Sequence, residues 1–440
     1  MSLKRNTIWN LAGTGLPMVL GAITIPYLVK NTGIEAFGIL TLVWTLIGYF
    51  SLFDFGLGRA LTQQVASSLA TNKRHKVPQL IKSGLVFTAF TGIVGGLVLV
   101  VVANPLAYEW LKVSDSLEVE TAYSLLIAAM GIPLTTLTTG LRGVLEAYED
   151  FKAVNLLRML LGAANFGLPA LSVMFFGPSL VYMVATLIAA RIVVLAAHGW
   201  LVYNKLPVGW FKSKARASDI KRLLSFGAWM TVSNVLQPLL VTADRFLIAA
   251  VLGASAVAYY TVPFEVLIRV LVIPAALTTA LFPRLSSKLK SDLAVVPDLY
   301  RKCMRLVVIA LLPVCLVIGF GSYWGLSWWI NADFAASSWL IASVLSIGVL
   351  FVGVSAVPYS MIQATGDART TAFLQVGELF VYMPLLLFFL HAWGALGAAL
   401  AWTIRAGLDL VLMLIYARKS FLRLSQQSLL IDAKRISVRY

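Results

Sequence analysis

Long apolar runs separated by short polar ones set the rhythm of this chain. A membrane-crossing helix takes about 20 mostly apolar residues. Twelve runs meet that length, at roughly 7–29, 37–66, 79–103, 118–142, 153–176, 180–203, 223–251, 256–285, 301–319, 337–362, 371–390 and 395–417. The second and eighth exceed what a bilayer needs, so they tilt or extend into the cytoplasm. The first is interrupted by Asn10, Gly13 and Pro17 and runs on to Val29, unlike a cleavable signal.

The polar stretches alternate in charge. Twenty-eight of the 35 Lys and Arg residues fall in every second connection or the helix ends adjoining it, the first being the N-terminus with Lys4 and Arg5. The intervening connections hold only Lys30 and Lys112. Basic connections stay cytoplasmic, so both termini are expected inside. The longest inner connection, 204–222, carries Trp210 and Phe211 among six cations, a composition suited to an anionic membrane surface. The tail, 418–440, mixes basic residues with Leu424, Leu429, Leu430 and Ile431 and is expected on that surface too. Trp324, Trp328, Trp329 and Trp339 cluster around an outer loop and read as an interfacial belt.

The two halves repeat. Gly33 to Thr41 matches Gly253 to Thr261 at an offset of 220, and Pro17 nearly coincides with Pro238. Leu145–Lys152 parallels Ile362–Arg369, and Arg191 and Arg405 lie near the centre of the last helix of each half. Six helices per unit is an even number, so the repeat is parallel, with its axis along the membrane normal. The expected organisation is an N-terminal six-helix lobe (1–203), a cytoplasmic connector (204–222), a C-terminal six-helix lobe (223–417) and a basic tail (418–440). Proteins built this way place substrate between the halves.

Composition agrees with an integral membrane protein: 60% of residues are hydrophobic and 12% charged, against about 25% charged in soluble domains. The net charge of +16 therefore does not point to nucleic acid. Cys303 and Cys315 would lie about 18 Å apart on one helix, too far for a disulfide. The three histidines are scattered, and no phosphate loop, metal-binding helix motif or nucleophile elbow occurs. No cofactor or metal is expected, and ATP hydrolysis by this chain alone is disfavoured.

The anomaly is charge within the apolar runs, where each ion costs at least ~2.5–3.5 kcal/mol. Five arginines lie there, Arg59, Arg191, Arg245, Arg269 and Arg405, with the acids Asp54, Asp244, Glu265, Glu378 and Asp409. Glu265 with Arg269 and Arg405 with Asp409 have the spacing of local i, i+4 pairs. Asp54 and Arg59 point about 140° apart, and Asp244 and Arg245 about 100° apart, so each needs its own partner. Glu378 has no partner on its helix; it either titrates or binds a cation, or pairs with an arginine across the bundle. Arginines spread through the depth of a bundle suit an anionic substrate, because the guanidinium stays charged and forks onto phosphate oxygens. Tyr27, Trp44, Tyr49, Tyr259, Tyr260 and Phe264 could line a sugar path, although a core or lipid-facing role is the commoner fate of such residues.

Three stretches carry a family resemblance: Asn6-Thr-Ile-Trp-Asn10, the Gly-x-x-x-Phe-Gly entry to the second helix (from Gly33), and Phe53-Asp-Phe-Gly-Leu-Gly-Arg59. With the twelve helices, two lobes and basic connector, the chain resembles the polysaccharide-lipid (O-antigen-type) flippases of the multidrug/oligosaccharidyl-lipid/polysaccharide exporter superfamily. The resemblance implies an all-α membrane protein with two pseudo-symmetric six-helix lobes around a central cavity. It implies a non-enzymatic transporter in the bacterial cytoplasmic (inner) membrane, moving a polyprenyl-pyrophosphate-linked oligosaccharide from inner to outer leaflet. Helices one, two, seven and eight line the cavity in the family, which places Arg59, Arg245 and Arg269 ahead of Arg191 and Arg405 as substrate contacts. Asp54, Asp244 and Glu378 are then coupling or structural acids, with Na+ or H+ the candidate ions. Pro17, Gly56, Gly58, Pro238, Pro263 and Pro274 are candidate bending points. Membrane lipids, a monomeric state and contact with polysaccharide-assembly proteins complete the expectation. Two rivals stay open: a cation-coupled multidrug exporter of the same superfamily, which would want an acidic cavity, and a membrane polysaccharide polymerase, which would want a large outer loop.

Overall fold

The computed structural model describes residues 3–49, 57–70, 74–206, 210, 213–220, 242–365 and 368–437. Among the described residues there is no strand. The helices are α1 (Leu3–Thr32), α2 (Ile34–Tyr49), α3 (Leu57–Ala70), α4 (Val77–Pro105), α5 (Asp115–Ala147), α6 (Phe151–Phe176) and α7 (Leu180–Lys205). There follow α8 (242–252), α9 (Ala254–Arg269), α10 (Val272–Ser291), α11 (Val296–Trp329), α12 (Ala332–Ala364) and α13 (Ala368–Ser437). All twelve expected spans contain helix. α2 with α3 fills the described part of the second, α8 that of the seventh, and α9 with α10 the eighth. α13 covers the last two, its arms meeting at Trp393 and Gly394, where the backbone leaves helical geometry. Eight of the described helices are long and apolar enough to cross a membrane unaided.

Local sequence fixes the ends. α4 and α11 begin with Pro78 and Pro297 at a position where the missing N–H is no loss. Asn331 caps α12, its Oδ1 accepting from the Phe334 N–H at 2.7 Å. Gly33 and Gly253, the matched residues of the repeat, both have left-handed backbone, with φ of 85° and 96°, between consecutive helices. Only glycine adopts this readily, so the two turns are alike in conformation as well as in sequence.

The chain forms two compact units, Met1–Ala258 and Tyr259–Tyr440. In the first, α1 packs on α6, and α5 is flanked by α3, α4 and α7. The loops of this unit sort to opposite ends. At one end, Lys205 binds Asp150 at 2.8 Å, Gln79 donates to Asp219 at 2.5 Å, and the Arg216 N–H donates to Ser83 at 3.0 Å. The hydrogen bond from Lys205 holds the Asp150 carboxyl below the usual carboxylate range. At the other end, the Ser114 N–H donates to Glu35 at 2.6 Å and Lys112 Nζ donates to the Val251 carbonyl at 2.7 Å. The sequence assigns the first group of loops to the inside and the second to the outside. Trp210 packs on the apolar cluster of Val202, Leu206, Leu80 and Ile81. The described part of the connector is thus folded onto the first unit.

In the second unit α12 is the central element, packed by α10, α11 and α13 around Val307, Leu311, Val357 and Met413. Cys303 and Cys315 are both on α11, buried and unbridged. The tail extends α13 as continuous helix to Ser437.

The eighth span is interrupted at Val270 and Leu271. Pro274 explains the break. It has no N–H to give the Val270 carbonyl, which accepts from Ile273 at 3.2 Å instead, and the turn tightens. The other candidate prolines that lie among the described residues do not interrupt their helices: Pro17 is buried in α1 and Pro263 in α9. Pro238 and Gly56 lie outside the described residues. Gly58 is a point of close approach. A Cβ on Gly143 of α5 would lie 2.4 Å from its carbonyl oxygen. Gly143→Val is therefore expected to destabilise the protein by about 1–3 kcal/mol through overpacking, measured as a lower melting temperature in detergent. Gly167→Ala, whose Cβ meets nothing within 4 Å, should not lower it.

Candidate functional site

Of the five arginines expected inside the membrane, four have described side chains. The backbone of Arg59 lies in the first turn of α3, while its side chain and all of Asp54 fall outside the described residues.

Arg191 on α7 is 8% exposed. It donates through Nη1 to the Leu187 carbonyl at 2.9 Å and through Nη2 to Asn165 Oδ1 of α6 at 3.3 Å. Both partners are neutral, and no ion pair to it occurs among the described residues. Arg245 on α8 is 5% exposed. Its Nη1 donates to Thr45 Oγ1 of α2 at 2.9 Å, and its backbone N–H donates to Asp244 Oδ1 at 2.8 Å. Asp244 is fully buried.

In the second unit the guanidinium of Arg405 donates to Glu378 Oε2 at 3.3 Å, joining the two arms of α13. The rings of Tyr382 and Trp402 flank it at 5.5 and 5.7 Å. The i, i+4 pair of Arg405 with Asp409 expected from spacing does not form. Asp409 instead accepts a hydrogen bond from Ser355 of α12 at 2.6 Å, and its carboxyl also reaches Glu378. The two aromatic faces hold the guanidinium on the side of its helix that meets Glu378. Two carboxyl groups and one guanidinium are thus collected in a largely buried site, and Glu378 Oε1 has no hydrogen-bond donor among the described residues.

Arg269 differs from the other three. It keeps its local partner, Glu265, at 3.5 Å, longer than a well-formed hydrogen bond. Its side chain is 36% exposed and that of Glu265 35%. It ends α9, one residue before the break at Val270. Among the described membrane arginines it alone offers an accessible guanidinium.

The aromatic candidates divide. Tyr260 and Phe264 are fully buried and stacked 5.8 Å apart, with Phe264 edge-on to Trp402. They are core, which removes them from a sugar path. Trp44 is likewise engaged, with Phe37 and Phe166, and Tyr259 packs on Phe334. Tyr27 is 37% exposed. The side chain of Tyr49 falls outside the described residues.

Comparison with known proteins places this architecture. Residues 3–288 match the family described as polysaccharide biosynthesis protein. The chain belongs to the polysaccharide biosynthesis protein family. It is 32% identical over 421 residues to a Shigella flexneri protein named "Putative O-antigen transporter", covering 95% of this chain and 98% of that one. It is 24% identical over 387 residues to the uncharacterized membrane protein EpsK of Bacillus subtilis (strain 168), covering 84% and 73%. Its fold matches the inward-facing conformation of a multidrug resistance MATE family transporter of the MOP superfamily, with a TM-score of 0.83 over 95% of this chain and 99% of that one, at 12% identity. The all-α exporter-superfamily fold expected from the sequence is therefore shown.

In this polysaccharide biosynthesis protein Glu378 takes up the cross-bundle arginine pairing that the sequence left open to it, whereas the polar partners of Arg191, Arg245 and Asp409 were not foreseen. Thr45 binds Arg245, Asn165 binds Arg191 and Ser355 binds Asp409, and each is an uncharged polar residue in a mostly apolar run. That is the one signal they carry, since their spacing to the charges runs across helices. Removing one member of a buried pair costs ~3–5 kcal/mol, because the other charge is stranded. Glu378→Leu is therefore expected to lower the unfolding midpoint in detergent sharply. The double variant Glu378→Leu/Arg405→Leu should recover much of the loss, and additive losses would show that the two side chains do not act as a pair.

Proposed function

We propose that the protein flips a polyprenyl-pyrophosphate-linked oligosaccharide, an O-antigen or similar surface-polysaccharide unit, from the inner to the outer leaflet of the bacterial cytoplasmic membrane. The observation that carries this is the likeness to an O-antigen transporter over nearly the whole of both chains. Alternating access of two six-helix lobes, with both termini cytoplasmic, is the mechanism that fits the repeat and the charge distribution. The multidrug alternative draws on likeness of fold at 12% identity, which does not carry a substrate.

Arg269 is the proposed pyrophosphate contact, joined by Arg59. An accessible guanidinium with a long, half-exposed pairing to Glu265 can exchange that partner for phosphate oxygens. Arg191, Arg245 and Arg405 are buried and each donates to another part of the protein, and we assign them to the architecture that holds the helices. The guanidinium of Arg405 pairs with Glu378, while the nearby Asp409 accepts a neutral hydroxyl from Ser355. A bound proton or Na+ would balance the second carboxylate, and this makes the cluster the proposed coupling site.

Arg269→Ala is expected to reduce glycan export per inserted molecule at least about tenfold, the scale of one lost charge-assisted hydrogen bond or more. Arg269→Lys should restore only part of it. Arg191→Ala should instead reduce the amount of folded protein. Export by Arg269→Ala at the wild-type level per molecule would remove the assignment. Glu378→Gln is expected to flatten the response of transport to an imposed proton or sodium gradient. An unchanged response would leave Glu378 a structural partner of Arg405.

A further inference from the structure

Lys112 is a conspicuous residue in the charge pattern. It is one of only two cations in the connections assigned to the outside, where lysine is disfavoured. The structure gives it an occupation. Its backbone N–H donates to the Ala249 carbonyl at 3.2 Å, and its carbonyl accepts from the Ala254 N–H at 3.3 Å. Its Nζ donates to the Val251 carbonyl at 2.7 Å. Lys112 is thus held against the 249–254 segment by backbone and side chain together. Two residues on, the Ser114 N–H donates to Glu35 Oε1 at the start of α2, at 2.6 Å.

The fit is close. At Gly253, with φ of 96°, a Cβ would lie 3.0 Å from the Lys112 carbonyl oxygen. At Gly38 of α2 a Cβ would lie 2.0 Å from the Ala254 carbonyl oxygen. Both glycines belong to the repeated turn motif. Three segments far apart in sequence, 33–38, 111–114 and 249–254, are therefore clasped at one end of the first compact unit. By the repeat, the first two belong to the N-terminal helix set and the third to the C-terminal one.

We infer that Lys112, Glu35 and the 249–254 turn form a reversible outer latch, closed while the carrier loads from the inside and opened for release outside. The inference rests on the alternating-access reading above. The chemistry suits a latch. Lys112 and Ser114 are exposed, and hydrogen bonds facing water are individually weak, so the clasp can part. No catalytic or substrate-contacting role is assigned to these residues.

The test uses the full-length chain with Cys303→Ser and Cys315→Ser, and Thr41→Cys as a reporter. Thr41 is 2% exposed and lies on α2 three residues beyond Gly38. A membrane-impermeant maleimide added from outside reads how often the latch opens. Lys112→Ala and Glu35→Gln are each expected to raise the labelling rate about fivefold, the scale of one lost hydrogen bond. A thiol crosslink between Lys112→Cys and Val251→Cys is expected to suppress labelling and stop glycan export, and cleaving it should restore both. Labelling that neither variant accelerates and the crosslink leaves unchanged would overturn the latch. Labelling needs no glycan, so it judges the latch even if export fails for a reason belonging to the proposed substrate.

Discussion

A guanidinium among apolar helices must find its hydrogen-bond partners inside the protein, because hydrocarbon supplies none. Three arginines here meet that demand in three ways. Arg191 uses a carbonyl and an amide oxygen, Arg245 a threonine hydroxyl on another helix, and Arg405 a carboxylate and two aromatic faces. Each solution ties a helix to a neighbour, or one arm of α13 to the other, at a fixed depth. The crossing points of α2 with α8, α6 with α7 and the two arms of α13 follow from it.

Arg191 and Arg405 also show how far the repeat extends. They occupy matching places in the two halves, yet only Arg405 has a carboxylate partner. The backbone features of the repeat are kept, as the paired left-handed glycines at 33 and 253 show. The polar chemistry within it is not. Divergence of this kind gives the arginine of one half a carboxylate partner and that of the other neutral ones.

The helices were legible because a bilayer span is a count of apolar residues, and a count survives in sequence. The boundary placed between 371–390 and 395–417 falls on the observed turn at Trp393 and Gly394. Side-chain pairing was legible only within one helix. Glu265 with Arg269 forms as spaced. Arg405 with Asp409, spaced identically, does not, because Glu378 competes from a position 27 residues earlier, which no periodicity reveals. Proline was ambiguous for a related reason. Pro17, Pro263 and Pro274 look alike in sequence, but a proline breaks a helix only where neighbours do not hold the freed turn in place. The aromatic residues were ambiguous too, since Tyr260 and Phe264 state a size and not a direction.

The contrast between buried and accessible arginines bears on how a polyanion could cross. A contact that bound pyrophosphate with several fully desolvated donors would hold the carrier at one depth, since each charge-assisted hydrogen bond in low dielectric is strong. Transport needs contacts that exchange. Arg269 stands at a helix break, partly exposed and already paired with Glu265 by a long contact. In the proposed role phosphate would replace one ionic partner by another, and Glu265, partly exposed, would be left facing a polar environment. The same logic separates it from Arg405, whose removal from Glu378 would expose a buried carboxylate. A site made for passage should therefore be poorer in buried, saturated arginines than the count of intramembrane charges suggests. Here three of the four described arginines are buried and hydrogen-bonded within the protein.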